Sequence, residues 1–191
     1  AIEKMEKLID EKENLFKVEL KAKIIVRGFE ENWEKFTVKD CVVALTPPSR
    51  ISQDNYKKTG NFPVIDQSKE PIAGWTNDEN CIIRSSNPLI IFGDHTCILK
   101  IMKIPFAQGA DGIKVLSAND RFDAPFLYYS LKADPVVPEG YKRHYSSLQR
   151  KEVFCPSKDI QKKLARYFEI KDKELSLLKQ QLALYKKQKQ G

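Results

Sequence analysis

From Ser157 to Lys189 the chain contains neither glycine nor proline, and its apolar residues recur at a helical interval. Leu164, Phe168, Lys171, Leu175, Leu178, Leu182 and Tyr185 stand alternately four and three residues apart. That alternation is the seam of a coiled-coil helix, and Ser157 suits its N-cap. About 30 residues at about 1.5 Å each make a rod of roughly 45 Å. A lone helix cannot bury such a stripe by itself. It needs a partner: residues 2–22, another copy of the chain, another protein, or the body of its own domain. Lys171 on the seam costs stability but can fix register.

The rest of the chain must supply what that rod carries. Residues 2–22 read as an amphipathic helix, with Met5, Leu8, Ile9, Leu15, Phe16 and Leu20 near helical spacing among Glu and Lys. This charged pattern is not a signal peptide. Gly28 is expected to end the helical region. From about residue 34 to 155, short apolar runs alternate with Pro, Gly, Asn and Asp, as in "GNFPVIDQ", "PLIIFGDHTCILKIMKIPF" and "DGIKVL". These predict β-strands and turns. Residues 89–92 and 97–101 flank a hairpin-length knot at 93–96, and a second knot spans 108–112. One short helix should interrupt the strands, with Asp123 as N-cap, Pro125 in its first turn and "FLYYSL" as its apolar face. Residues 133–147 read as a loop, and "KEVFCP" as a final strand. The expected class is α+β. A leading helical segment (1–27) precedes a mainly β domain with one short helix (28–156), and the long coiled-coil helix (157–191) follows.

Chemistry is hard to find. His95 and His144 sit outside any recognisable nucleophilic motif, and each is read as a turn or surface histidine. No GxSxG elbow, GxxxxGK[ST] loop or GxGxxG occurs, so no cofactor is implied. "FAQGADG" joins strand to strand and offers no helix N-terminus to a phosphate. "LTPPS" is similar to the Pro-Pro motif of amino-methyltransferases, but Thr46 stands where Asp or Asn belongs. We read Pro47-Pro48 as a rigid loop. Cys41, Cys81, Cys97 and Cys155 lie far apart without CxxC pairs, so reduced thiols in a cytoplasm are expected and no metal site. No apolar run approaches the ~20 residues of a membrane span. A net charge of +7 favours a polyanionic partner. The domain reads as a binding module with a rod, not an enzyme.

Several blocks, taken in order, resemble one family. "GFEENWEKFTVKDCV" (28–42), "GNFPVID" (60–66), "PLIIFGDHT" (88–96), "PFAQGADGIKVL" (105–116), "FLYYSL" (126–131) and "GYKRHYSSL" (140–148) are similar to blocks of the specificity (S) subunit of type I restriction–modification enzymes. At the start of the long helix, Pro156, Gln161, Leu164-Ala165 and Asp172 match the family's exit segment, and Ile160 departs from it. The resemblance implies a target-recognition domain that reads half of a bipartite double-stranded DNA site. It implies that the long helix docks methyltransferase (M) subunits and, through them, a restriction (R) subunit, which carry the catalysis. S subunits have two such domains. This chain is therefore expected to be a homodimer of half-length subunits or half of a two-domain subunit; in the latter case residues 1–23 end a central helix.

Lys and Arg neutralise phosphates, while Arg, Asn, Gln and Ser read base edges. The candidate DNA contacts are Arg50, Lys57, Lys58 and Asn61, with Gln53 and Asn55 in the same loop. Gln67, Ser68 and Lys69 follow, then Arg84, Gln108, Lys142 and Arg143. Tyr141 and Tyr145 are read as packing residues. The coiled-coil interface is assigned to Leu164, Phe168, Leu175, Leu178, Leu182 and Tyr185. Two other readings compete: a stand-alone site-specific DNA endonuclease with scattered acids, and a coiled-coil interaction protein without a DNA role.

Overall fold

The structure is a computed structural model that describes residues 2–109, 112–140 and 142–190. Helix α1 (Ile2–Leu20) runs through a π-helical stretch (Lys21–Val26) into α2 (Arg27–Glu30). Phe16, Leu20, Ile24 and Gly28 are all buried at four-residue steps. In a regular α-helix that spacing turns the buried face by about 40° per step. The wider π turns keep all four on one side.

Gly28 does not end the helix as its sequence position suggests. It packs inside, where a Cβ would meet the Phe154 ring at 2.6–2.8 Å. The stop is Asn32, at φ 52. Trp33 N–H bonds to Gly28 O at 2.9 Å and Asn32 N–H to Phe29 O at 3.3 Å. This is the paired capping pattern usually closed by glycine, with asparagine as the alternative.

The β-domain follows as β1 (Glu34–Thr37), β2 (Val42–Leu45), β3 (Arg50–Ile51), β4 (Phe62–Ile65), β5 (Gly74–Thr76), β6 (Ile82–Ile83), β7 (Leu89–Gly93), β8 (Leu99–Met102), β9 (Phe106–Gly109) and β10 (Ile113–Ala118). After them come α3 (Ala124–Ala133), α4 (Tyr145–Arg150), β11 (Glu152–Cys155) and α5 (Lys158–Gln190). One antiparallel sheet has the order β2-β10-β7-β8. In the other, β9 pairs in parallel with β4 and β3 and antiparallel with β6, and β5 flanks β4. β1 and β11 make a separate antiparallel pair.

β7 explains the apolar run at 88–92. It is buried along its whole length. Ile90 and Phe92 join the helical core with Phe126 and Leu127 of α3. Leu89 and Ile91 face Ile65, Ile83 and Phe106 of the second sheet. The strand thus lies between two apolar layers, so both of its faces are apolar.

The expected helix at 123–132 is present: Asp123 Oδ2 accepts from Phe126 N at 3.1 Å. Gln161, 1% exposed, joins that helix start to α5. Its Oε1 accepts from Asp123 N at 2.7 Å, and its Nε2 donates to Pro156 O at 2.9 Å. The loop expected over 133–147 is shorter than read, because α4 begins at Tyr145. Cys97 takes φ 57, which moves the hairpin's second strand to Leu99.

α5 needs no second chain to cover its seam, because α1 lies antiparallel along it. Glu6 pairs with Lys186 at 2.6 Å, Lys12 with Glu174 at 2.7 Å, Glu13 with Lys179, and the seam's Lys171 with Glu19 at 3.6 Å. Phe168 is fully buried, edge-on to Phe16 at 5.8 Å and 5.5 Å from Tyr129. Leu164 and Leu175 are buried, Leu178 and Leu182 half-buried, and Tyr185 exposed. Lys103 of the sheet domain pairs with Glu169 of α5, and Lys132 with Asp172 at 3.3 Å.

Candidate nucleic-acid interface

The knot at 93–96 is a junction of loops. Asp94 is 4% exposed. Its Oδ1 accepts from His144 N at 3.0 Å and Tyr145 N at 2.8 Å. Its backbone N donates to Gly112 O at 2.6 Å, and its backbone O accepts from His144 N at 2.7 Å. The β7–β8 turn is thereby bound both to the segment before α4 and to the residue preceding β10. α4 lacks a side-chain cap of its own; the remote Asp94 takes that place, which is why no local signal marks this helix.

His144 is 1% exposed, so the expectation of a surface histidine is corrected. Its Nε2 lies 2.9 Å from Glu139 N, which can only donate. The ring proton therefore sits on Nδ1, which faces Asp94 O at 3.2 Å. His95 belongs to the same junction: its Nδ1 is 3.2 Å from Lys142 O. The two histidines thus meet in one loop cluster, a meeting that no sequence motif signals.

Gln67 ties in the next loop. Its Oε1 accepts from His95 N at 3.2 Å, and its backbone O accepts from Thr96 Oγ1 at 2.9 Å. Its amide lies against Gly112, at φ 98, where a Cβ would come within 2.5 Å of Nε2. Lys100 holds the 66–70 loop from beneath, donating to Asp66 O at 2.8 Å and Glu70 O at 2.5 Å. Burial pushes this ammonium below the usual lysine range, and Asp66 and Glu70 pull it back. Lys142, beside Glu139 at 2.6 Å, holds that carboxyl below the usual range.

The candidate contacts separate into two groups. Lys69, Lys142 and Arg143 are exposed around the Asp94 junction, with Gln67 and Ser68 half-buried beside them. Ser68 Oγ is buried and has no hydrogen-bond partner among the described residues. Arg50 is exposed next to this group, paired through β3 with Gln108. Gln108 itself is 2% exposed inside β9, so it is a core residue and not a surface reader.

Lys57, Lys58, Asn61 and Arg84 form the second group, at the opposite end of β4. Lys57 bridges to Trp75, Asn61 N donates to Asn77 Oδ1 at 2.8 Å, and Arg84 pairs with Glu79 and lies over Phe62. All four are exposed, as are Gln53 and Asn55. The four-residue β4 sets the two groups roughly 10 Å apart. Tyr145 is half-buried under Lys114 at 5.3 Å. Tyr141, and Ala110 and Asp111 of the second knot, lie outside the described residues. Sequence reasoning missed Asp94, Lys100 and Lys114 as organisers of these loops. The one available hint was a charged Asp between two apolar strands.

All four cysteines are free thiols, three of them buried. Among the described residues no cluster of three or more His, Cys, Asp or Glu could hold a metal ion, and no helix is long and apolar enough to cross a membrane.

No family model matches the chain, and no curated relative matches it either. Solved structures do. The type I restriction–modification S subunit from M. genitalium superposes with a TM-score of 0.70 at 15% identity, over 95% of this chain and 53% of that one. A structure described as the basis of complex assembly and conformational transition of the type I R-M system gives 0.68 at 15%, over 96% and 50%. The HsdS subunit from Thermoanaerobacter tengcongensis gives 0.58 at 13%, over 92% and 47%. The chain spans about half the length of the structures it matches, and over that half it has the fold of a type I restriction–modification S subunit.

Proposed function

We propose that this chain is a DNA target-recognition unit of a type I restriction–modification specificity subunit. Residues 28–156 form the recognition domain, flanked by the helical segments 1–27 and 157–191. It reads one half of a bipartite duplex site and carries no catalysis of its own. Modification and cleavage belong to M subunits docked on the long helix α5 and to the R subunit they bring. The unit acts in the cytoplasm with its DNA. The observation that carries this reading is the match of more than nine-tenths of the chain to S-subunit structures. The two exposed basic groups add to it. Lys57, Lys58, Lys69, Lys142 and Arg143 supply phosphate contacts, while Arg50, Asn61, Gln67 and Arg84 supply base contacts; Ser68, whose hydroxyl is buried, is not a base reader in this arrangement.

A bipartite reader needs a second recognition domain, from another copy of the chain or from a longer subunit. The antiparallel helices are of a length that matches a little more than one DNA turn of ~34–36 Å. Light scattering at tens of micromolar separates the two sources: a dimer supports pairing of copies, a monomer the longer subunit.

The decisive experiment is co-purification with methyltransferase subunits, followed by duplex binding at several salt concentrations. A specific complex whose DNA affinity falls steeply with salt is expected. Cleavage of plasmid by this chain alone with Mg2+ would overturn the reading in favour of an endonuclease.

A further inference from the structure

Asp94 takes no part in the contacts proposed above, yet it ties two distant segments to its own turn: its carboxylate bonds the backbone at 144–145, and its backbone bonds Gly112 and His144. A carboxylate 4% exposed must have its lone pairs satisfied. Here the donors are the backbone amides of His144 and Tyr145. Immediately before them stand Lys142 and Arg143, both exposed. On the other side of the junction, His95 N and Thr96 Oγ1 hold Gln67, two residues from Lys69. Without the Asp94 carboxylate, the segment bearing Lys142 and Arg143 would keep the His144 N–H bond to the residue-94 backbone O and the His95 contact through Lys142 O, but Tyr145 N would lose its acceptor and the charge-assisted bonds would go.

We propose that Asp94 is a positioning residue that sets Lys142 and Arg143 in register with the 66–70 loop, so that two loops distant in sequence present one basic surface. The inference rests on the DNA-recognition reading. His144 reinforces the lock by accepting from Glu139 N and facing Asp94 O.

The test has two arms on the full chain. In the first, amide exchange is measured by NMR in the absence of DNA. Asp94→Ala should speed exchange at Tyr145, whose amide bonds the carboxylate, by about tenfold, and Asp94→Asn, whose neutral oxygen accepts more weakly, by about threefold; the His144 amide, still bonded to the residue-94 backbone O, should change less. Amides in β4 should be unaffected. If Asp94→Ala does not fold, Asp94→Asn carries this arm. Unchanged exchange at Tyr145 overturns the proposal.

In the second arm, duplex affinity is followed against salt. Lys142→Ala with Arg143→Ala should lower the slope by up to about two, and Asp94→Ala should reproduce part of that loss. Adding Asp94→Ala to the double variant should change the slope no further, because it acts through the same two cations. Fully additive losses overturn the positioning role. A wild-type chain that binds no duplex, with the Tyr145 amide still released in the variant, overturns the DNA reading and the positioning role with it. A Tyr145 amide that stays slow overturns the lock alone.

Discussion

The ring of Phe154 lies flat over Gly28, and a single added carbon at Gly28 would come 2.6 Å from it. Elsewhere in a helix, Gly→Ala gains roughly 0.8–1 kcal/mol. Here the overlap reverses the sign, and Gly28→Ala should cost about 1–3 kcal/mol. Asn32 shows the opposite pattern. At φ 52 it already stands in a conformation that glycine adopts without strain. Asn32→Gly should be nearly neutral, while Asn32→Val should cost about 1 kcal/mol or more. Urea denaturation of the three variants checks this.

Phe168 joins α1, α3 and α5 through Phe16 and Tyr129. Phe168→Ala should cost about 3–5 kcal/mol by leaving a cavity that three helices cannot close. Leu178→Glu, farther along the half-buried seam, should loosen α1 from α5 and leave the sheets folded. Circular dichroism and melting temperature distinguish global loss from local loosening.

Lys57 and Lys58 lie in the second basic group, away from the Asp94 junction. Lys57→Ala with Lys58→Ala should weaken binding to all duplexes alike and lower the salt slope by up to about two. Asn61→Ala should instead shift which base pair is preferred. Fluorescence anisotropy over a set of duplexes reads both. If neither variant changes affinity or preference, that end of β4 does not face DNA.

The Cys41 thiol is pushed up to about 12, first by burial, then by Cys155 and Asp40 nearby. In the unfolded chain it ionises near 8.5. Between those values the folded state holds the extra proton, so stability present below about pH 8.5 is lost as pH rises toward 12. Cys41→Ala should flatten that fall in melting temperature, measured from pH 8 to 11. At pH 8, half-buried Cys155 should alkylate well before Cys41.

The long helix, the α3 cap at Asp123 and most strands follow from periodicity and turn residues, which are local properties. The failures concern residues whose roles are set by distant partners. Gly28 reads as a helix stop by composition, but its role depends on a ring 126 positions later. α4 has no sequence signal because its capping carboxylate is Asp94, 50 residues before His144. Gln108 looks like a base reader because its type is polar, and only the pairing of β9 on both edges reveals it as core. The candidate loops were legible from their Lys, Arg and Asn content. Their division into two groups was not, because it is set by the two ends of β4.

The antiparallel seating of α1 on α5 also sets the order in which the protein can mature. Lys12 and its partner Glu174 are 162 positions apart. At ~5–20 residues per second, the apolar face of α1 therefore waits roughly 8–30 s on the ribosome for its cover. Meanwhile the sheets between them can form, since their pairings close within shorter stretches of chain. Docking of the first helix is then a late, high-contact-order step. The face that carries Ile9 and Phe16 thus stays uncovered by α5 while everything between the two helices is made.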